Sequence, residues 1–162
     1  MAFPIRKPNR LPYFDYSSPG AYFIPICTVE KKCILSRIVG GGAHDAPSVQ
    51  LTRAGQIVQK YIDSGNNIPG ITVDKFVIMP NHIHMLLFIS GTAANRVPSP
   101  ANAAIPHFVS TLKSFVHRDI GEPIFQRSYH DHVIRGRADY EKIWQYIDHN
   151  PFRWKDDCFY AE

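Results

Sequence analysis

The stretch MPNHIHMLLFI, residues 79–89, constrains the fold of this chain more than any other. Side chains alternate across a strand, so His82, His84, Leu86 and Phe88 share one face while Ile83, Met85, Leu87 and Ile89 share the other. Both sets turn apolar after the first positions, so both faces must be covered. Such a strand belongs inside a layered domain with something packed on each side. The same alternation sets two imidazoles together at one end of one face, about 6–7 Å apart by the rise per residue. That spacing lets two ring nitrogens converge on one ion.

The neighbouring segments supply the layers. AYFIPICTVE (21–30) is rich in aromatic and β-branched residues and predicts a strand, with Pro25 confining it to an edge or a bulge. IVGGGAHDAPS predicts a loop, and a helix is expected from about Ser48, with Leu51, Ala54, Ile57, Val58, Tyr61 and Ile62 at helical spacing. ITVDKFVIMP (71–80) predicts a second strand, the PN dipeptide a tight reversal, and HIHMLLFIS (82–90) a third strand. After a loop over 91–100, a helix is expected across about 102–119, then an extended segment over 124–135. A last helix starts near Ala138 and is ended by Pro151. The first six elements are those of a split βαβ, ferredoxin-like antiparallel sheet in an α+β protein, with two helices on one face. The seventh, the last helix, is left to cover the opposite face.

With 162 residues the chain is expected to form one domain over 21–162, preceded by a proline-rich basic arm over 1–20. Its 44% hydrophobic content suits a globular core, and no run of ~18 apolar residues is present to span a membrane. The N-terminus lacks an apolar segment with a small-residue cleavage site, which argues against secretion. Cys27, Cys33 and Cys158 are an odd number with no CxxC spacing, which argues against a disulfide framework or a cysteine-based zinc site and suits a reducing cytoplasm. A formal charge of +4 permits a polyanionic partner without demonstrating one.

In the last helix Tyr140, Ile143, Trp144 and Ile147 form an apolar stripe, with Tyr146 and Asn150 four residues apart on its margin. If that stripe packs on the histidine-bearing face, Tyr146 and Asn150 hang over the same rim. Asn150 offers an amide oxygen to a divalent ion and Tyr146 a phenol. Taken singly, each has an ordinary reading: a hydrogen-bonded histidine pair, a boundary tyrosine, a helix-ending asparagine. Together they have few.

HIH after MPN at a strand start, then YHDHVIR, then WQYIDHNP, resembles the single-tyrosine HUH transposases, and within them the REP-associated tyrosine transposases. RLPYFDYSSPGAYFIPICTVEKKC also resembles the N-terminus of that branch, so the likeness covers nearly the whole chain. The resemblance implies that His82 and His84 are the metal pair, Asn150 stands at the third-ligand position, and Tyr146 is the nucleophile. It implies a metal-dependent single-stranded DNA endonuclease and strand transferase that cleaves near hairpin-forming palindromes through a 5′-phosphotyrosine link. The substrate it implies is single-stranded DNA carrying a hairpin.

Two neutral imidazoles and an amide would leave a divalent cation, Mg²⁺ or Mn²⁺, with its charge and open positions for a phosphate. A free phenol has a pKa near ~10, so Tyr146 needs a proton acceptor or a cation close by. The sequence does not identify that acceptor, although His149 is a candidate. A second pair, His130 and His132, has the same spacing and is expected to support the site or touch substrate, with Asp131 as a hydrogen-bond partner. Lys113, His117 and Arg118 share a helical flank, and with Arg127, Arg135 and Arg137 they form either a solvated face or a phosphate-contacting track. Arg6, Lys7 and Arg10 could enter a groove as an arm. The competing readings are a domesticated hairpin-binding module without cleavage, and an RNA-binding ferredoxin-like sheet, which would need exposed aromatics on its face. The short tail after Asn150 offers no dimerising helix and favours a monomer over a homodimer.

Overall fold

The computed structural model describes residues 19–90 and 104–161. The arm with Arg6, Lys7 and Arg10 and the loop expected over 91–100 lie outside the described residues. Strands β1 (Gly20–Cys27), β4 (Ile71–Ile78), β5 (His82–Ile89) and β6 (His132–Val133) form one antiparallel sheet in the order β4-β5-β1-β6. Helix α1 (Arg53–Ser64) lies between β1 and β4 in the chain, and α2 (Ala104–Ile120) between β5 and β6. Among the four strands of this sheet, the order is second-third-first-fourth, the ferredoxin-like arrangement.

The alternation along β5 divides the molecule. Ile83, Met85, Leu87 and Ile89 join Tyr22, Ile24 and Ile26 of β1 in a core closed by Val58 and Ile62 of α1 and by Ile105, Phe108, Leu112 and Val116 of α2. His82 and His84 pair with Cys27 and Pro25 on the other face. Helix α3 (Arg137–His149) covers that second face. Its Tyr140 donates to Asp74 at 2.6 Å and its Asp148 meets Lys75 at 2.7 Å. The register of β4 shifts between Val73 and Lys75, and at that irregularity Asp74 and Lys75 both reach α3. Gly136 precedes the helix at φ 86°, ψ 171°, a conformation essentially reserved for glycine.

Several expectations are corrected. The loop predicted over 38–48 is largely a hairpin: β2 (Ser36–Val39) pairs with β3 (Ser48–Leu51), and only Gly40 to Pro47 form its tip. Leu51 therefore belongs to a strand, and α1 begins later than expected. Thr52 caps it, accepting from the Gly55 amide at 3.1 Å while its own hydroxyl donates to Ile34 and Leu35 carbonyls. A Cβ at Gly55 would stand 2.0 Å from the Leu35 oxygen, so glycine is what allows this close approach. Of the extended segment expected over 124–135, only His132 and Val133 form a strand, beside Tyr22 and Phe23. A lone bridge joins Thr28 to Phe125. Pro25 sits between these two contacts, where its missing N–H breaks no ladder on that side. Pro151 ends α3 without ending the coil. The chain runs on as a 3₁₀ turn over Asn150–Asp156, with proline in its first turn where no N–H is required.

Candidate metal and tyrosine centre

His82 and His84 are buried to 0% and 1% exposure, and their ring centroids lie 4.4 Å apart, closer than strand spacing alone would set them. The turn before them fixes the first ring. Asn81, itself buried, donates its amide to the carbonyls of Phe159 (2.7 Å) and Lys31 (3.3 Å). That orientation points its Oδ1 at His82 Nδ1, 2.8 Å away. An amide oxygen only accepts, so Nδ1 carries the proton and Nε2 presents its lone pair to the site. Nε2 then faces Asn150 Oδ1 at 3.3 Å and Asp157 Oδ2 at 3.9 Å. Two acceptor oxygens thus converge on the His82 lone pair with no hydrogen between them and the ring.

His84 sharpens the point, because neither of its ring nitrogens has a hydrogen-bond partner. Burial pushes the His82 imidazole down to about 4, against the opposing pull of Asp157. Burial, and then the neighbouring His82, hold His84 well below the usual histidine range. Both rings are therefore neutral at pH 7, the protonation state of a metal ligand. Ligand atoms of His82, His84 and Asp157 all lie within 4.8 Å of one another. Orphaned buried lone pairs, converging oxygens and neutral imidazoles all fit a divalent cation.

Tyr146 stands over this cluster from α3. Its ring is 5.2 Å from His84 and 6.1 Å from Phe23. Its hydroxyl lies 3.5 Å from Asp157 Oδ2, which also accepts from the Asn150 amide at 2.7 Å. Burial, and next the Asp157 charge, push the phenol up to about 12. Asp157 arrives because the 3₁₀ turn curls the tail back over β5. Phe159 covers both histidine rings, at 4.7 and 5.7 Å, and Trp154 flanks His82 at 5.9 Å. The Asp157 side chain is left only 1% exposed.

Other predicted residues are elsewhere. His149 is exposed and turned onto the Gln145 carbonyl of its own helix at 2.9 Å, while Asp157 is the carboxylate beside Tyr146. His130 and His132 are exposed, and His132 bonds Asp139 at 2.8 Å. Lys113 and Arg118 do not form one track. Lys113 is half-buried and donates to the Gln126 carbonyl at 2.7 Å, whereas Arg118 turns to Tyr61 and Asp119 beside α1. Arg127 and Arg135 are exposed. Trp144, expected in the apolar stripe, instead lies over the Lys75 ammonium at 3.4 Å and stays 38% exposed.

Asn81, Asp157 and Phe159 were not found from sequence. Asn81 had a signal, a polar residue abutting the histidine pair. Asp157 and Phe159 had none, since their roles depend on how the tail folds back.

No family model matches the sequence. A protein of Haemophilus influenzae described as uncharacterized is 28% identical over 176 residues, spanning 97% of this chain and 94% of that protein. Among solved structures, the REP-associated tyrosine transposase bound to a REP hairpin superposes with a TM-score of 0.61 at 18% identity, over 89% of this chain and 72% of that one. A protein of Deinococcus radiodurans R1 described as a candidate transposase gives 0.50 at 16% identity, over 90% and 97%. At these identities the likeness is one of fold, and the fold is theirs.

Proposed function

We propose that this chain is an HUH-type tyrosine transposase of the REP-associated branch, a metal-dependent nuclease and strand transferase acting on hairpin-bearing single-stranded DNA. The observation that carries the reading is the orphaned His84 ring, buried beside His82 and 5.2 Å from the Tyr146 ring. Buried imidazoles with unused lone pairs cost stability unless a ligand takes them up. The shared fold and a hairpin-bound neighbour support the DNA class.

His82 and His84 would hold the cation with the Asn150 oxygen, 3.3 Å from His82 Nε2, as third ligand, and Asn81 would keep His82 in the right tautomer. When bound, a divalent ion supplies Lewis acidity toward a phosphate oxygen. Tyr146 Oη would attack phosphorus, forming a phosphotyrosine ester to the 5′ side and releasing a 3′-hydroxyl. The phenolic proton would pass to Asp157 Oδ2, the carboxylate already facing it at 3.5 Å, and from there to the leaving 3′ oxygen. Reversal by a 3′-hydroxyl rejoins strands without ATP, because the ester conserves the bond. All these groups belong to one chain, so the centre can be assembled without a residue from a partner subunit.

Incubation with a single-stranded hairpin oligonucleotide and Mn²⁺ should yield an adduct that survives a denaturing gel. Tyr146→Phe should abolish it. Tight hairpin binding without an adduct, across a panel of hairpins, would favour the non-cleaving module instead.

A further inference from the structure

The turn that leaves β1 holds backbone strain beside the histidines. Over Val29–Lys31 the chain makes a single 3₁₀ turn, and both Glu30 (φ 55°) and Lys31 (φ 54°) take the left-handed conformation. Among the described residues no others except glycines do so. In that conformation Cβ crowds the following carbonyl oxygen, and a turn free to choose its residues would place glycine or asparagine there. Thr28 enforces the geometry. Its carbonyl accepts from the Lys31 amide at 3.2 Å, and its hydroxyl lies 2.9 Å from the Lys32 carbonyl and 3.0 Å from the Asn81 carbonyl. Strain maintained by its surroundings in this way gathers at functional sites.

The strained turn reaches the centre twice. The Lys31 carbonyl accepts from the Asn81 amide at 3.3 Å, one of the two bonds that aim Asn81 at His82. The Lys31 side chain is exposed, and its charge bears on the His82 imidazole and on the Cys27 and Cys158 thiols, so the ammonium stands within electrostatic reach of the cluster. Glu30, its neighbour, turns instead to Lys32 at 3.3 Å. Among the described residues no carboxylate forms an ion pair with Lys31. A cation held beside a site suited to a divalent ion is unfavourable unless an anion comes between the two.

The geometry points to Lys31 as a further catalytic residue, its ammonium set by the strained turn against a non-bridging oxygen of the scissile phosphate, across from the metal. The assignment rests on the proposed nuclease reading and adds a charge that neither the histidines nor Tyr146 supplies. A metal and an ammonium together clamp a reacting phosphate as its charge shifts in the transition state. Lys31 exchanges no proton. That proton moves among Tyr146, Asp157 and the leaving 3′ oxygen.

The test is the single-turnover rate of adduct formation with Mn²⁺ and a saturating concentration of the best-bound hairpin oligonucleotide of the panel, beside hairpin affinity measured by anisotropy in chelator. Lys31→Gln should slow the adduct roughly 100-fold, the worth of one donor aimed at developing charge, while affinity stays near wild type. Lys31→Arg, which restores the charge, should recover most of that loss. Lys31→Gly should react as slowly as Lys31→Gln yet melt no lower than wild type, because glycine relieves the left-handed strain. Glu30→Gly gives the same relief one residue earlier and should keep the wild-type rate. Lys31→Gln reacting at the wild-type rate would overturn the assignment and leave the nuclease reading intact. So would a loss that Lys31→Arg does not recover, a loss shared by Glu30→Gly, or one matched by an equal loss of affinity, since these mark shape or simple binding. Lys31→Gly melting below wild type would show that the turn carries no strain, and would overturn it as well. Wild-type protein that forms no adduct would sink the nuclease reading and this role together.

Discussion

The two faces of the central sheet obey different rules. On the face covered by α1 and α2, every buried side chain of β1 and β5 is hydrocarbon, apart from the Tyr22 hydroxyl and the Met85 sulfur, and the packing is self-sufficient. On the face covered by α3 and the tail, His82, His84 and Asn150 are buried as deeply, and His84 bonds nothing. A core that only had to be stable would place leucine there. One face holds the fold together, and the other carries a constellation that folding alone does not reward.

Substitutions can break that contrast. The largest effect is chemical: Tyr146→Phe should remove covalent DNA adducts altogether while leaving the melting temperature near wild type, since the hydroxyl's contact with Asp157 is a long one, 3.5 Å. On the hydrocarbon face, Leu87→Ala should cost about 2–5 kcal/mol of unfolding free energy, read from denaturant midpoints. Acid probes the polar face. Because the folded His82 ring titrates at about 4 and an unfolded one near 6.5, the unfolded chain takes up a proton first. Stability in chelator should therefore be full above about pH 6.5 and fall as pH drops toward 4, by up to about 3 kcal/mol from this ring. A pH-independent denaturant midpoint across that window would contradict the neutral buried pair.

Smaller still, His84→Leu should leave the unfolding midpoint in chelator unchanged or slightly raised, because it replaces an unpartnered polar ring with hydrocarbon. The same variant should lose the rise in melting temperature that Mn²⁺ gives the wild type, which separates cost from purpose at one position. The least effect belongs to the periphery. Asp148→Ala, which removes the ion pair with Lys75, should change stability by less than about 1 kcal/mol.

Much of the architecture was legible because it follows from local periodicity. The alternation in HIHMLLFI assigns side chains to faces, and the apolar spacing of α2 and α3 marks them as covering layers. The β2–β3 hairpin was not, since four-residue strands flanking three glycines carry too little pattern to outweigh the helical spacing that follows. For the candidate site, the pairing of His82 with His84 and the placement of Tyr146 and Asn150 came from periodicities of two and 3.6 residues.

The sequence by itself determined which side chains could share a face, because backbone stereochemistry fixes that within a strand or a helix. Tertiary structure alone decided which faces meet. Asp157 reaches His82 only because a 3₁₀ turn reverses the tail, and Asn81 orients His82 only because Phe159 and Lys31 take its amide hydrogens. Those contacts join residues as much as 78 positions apart, a distance over which no local propensity acts.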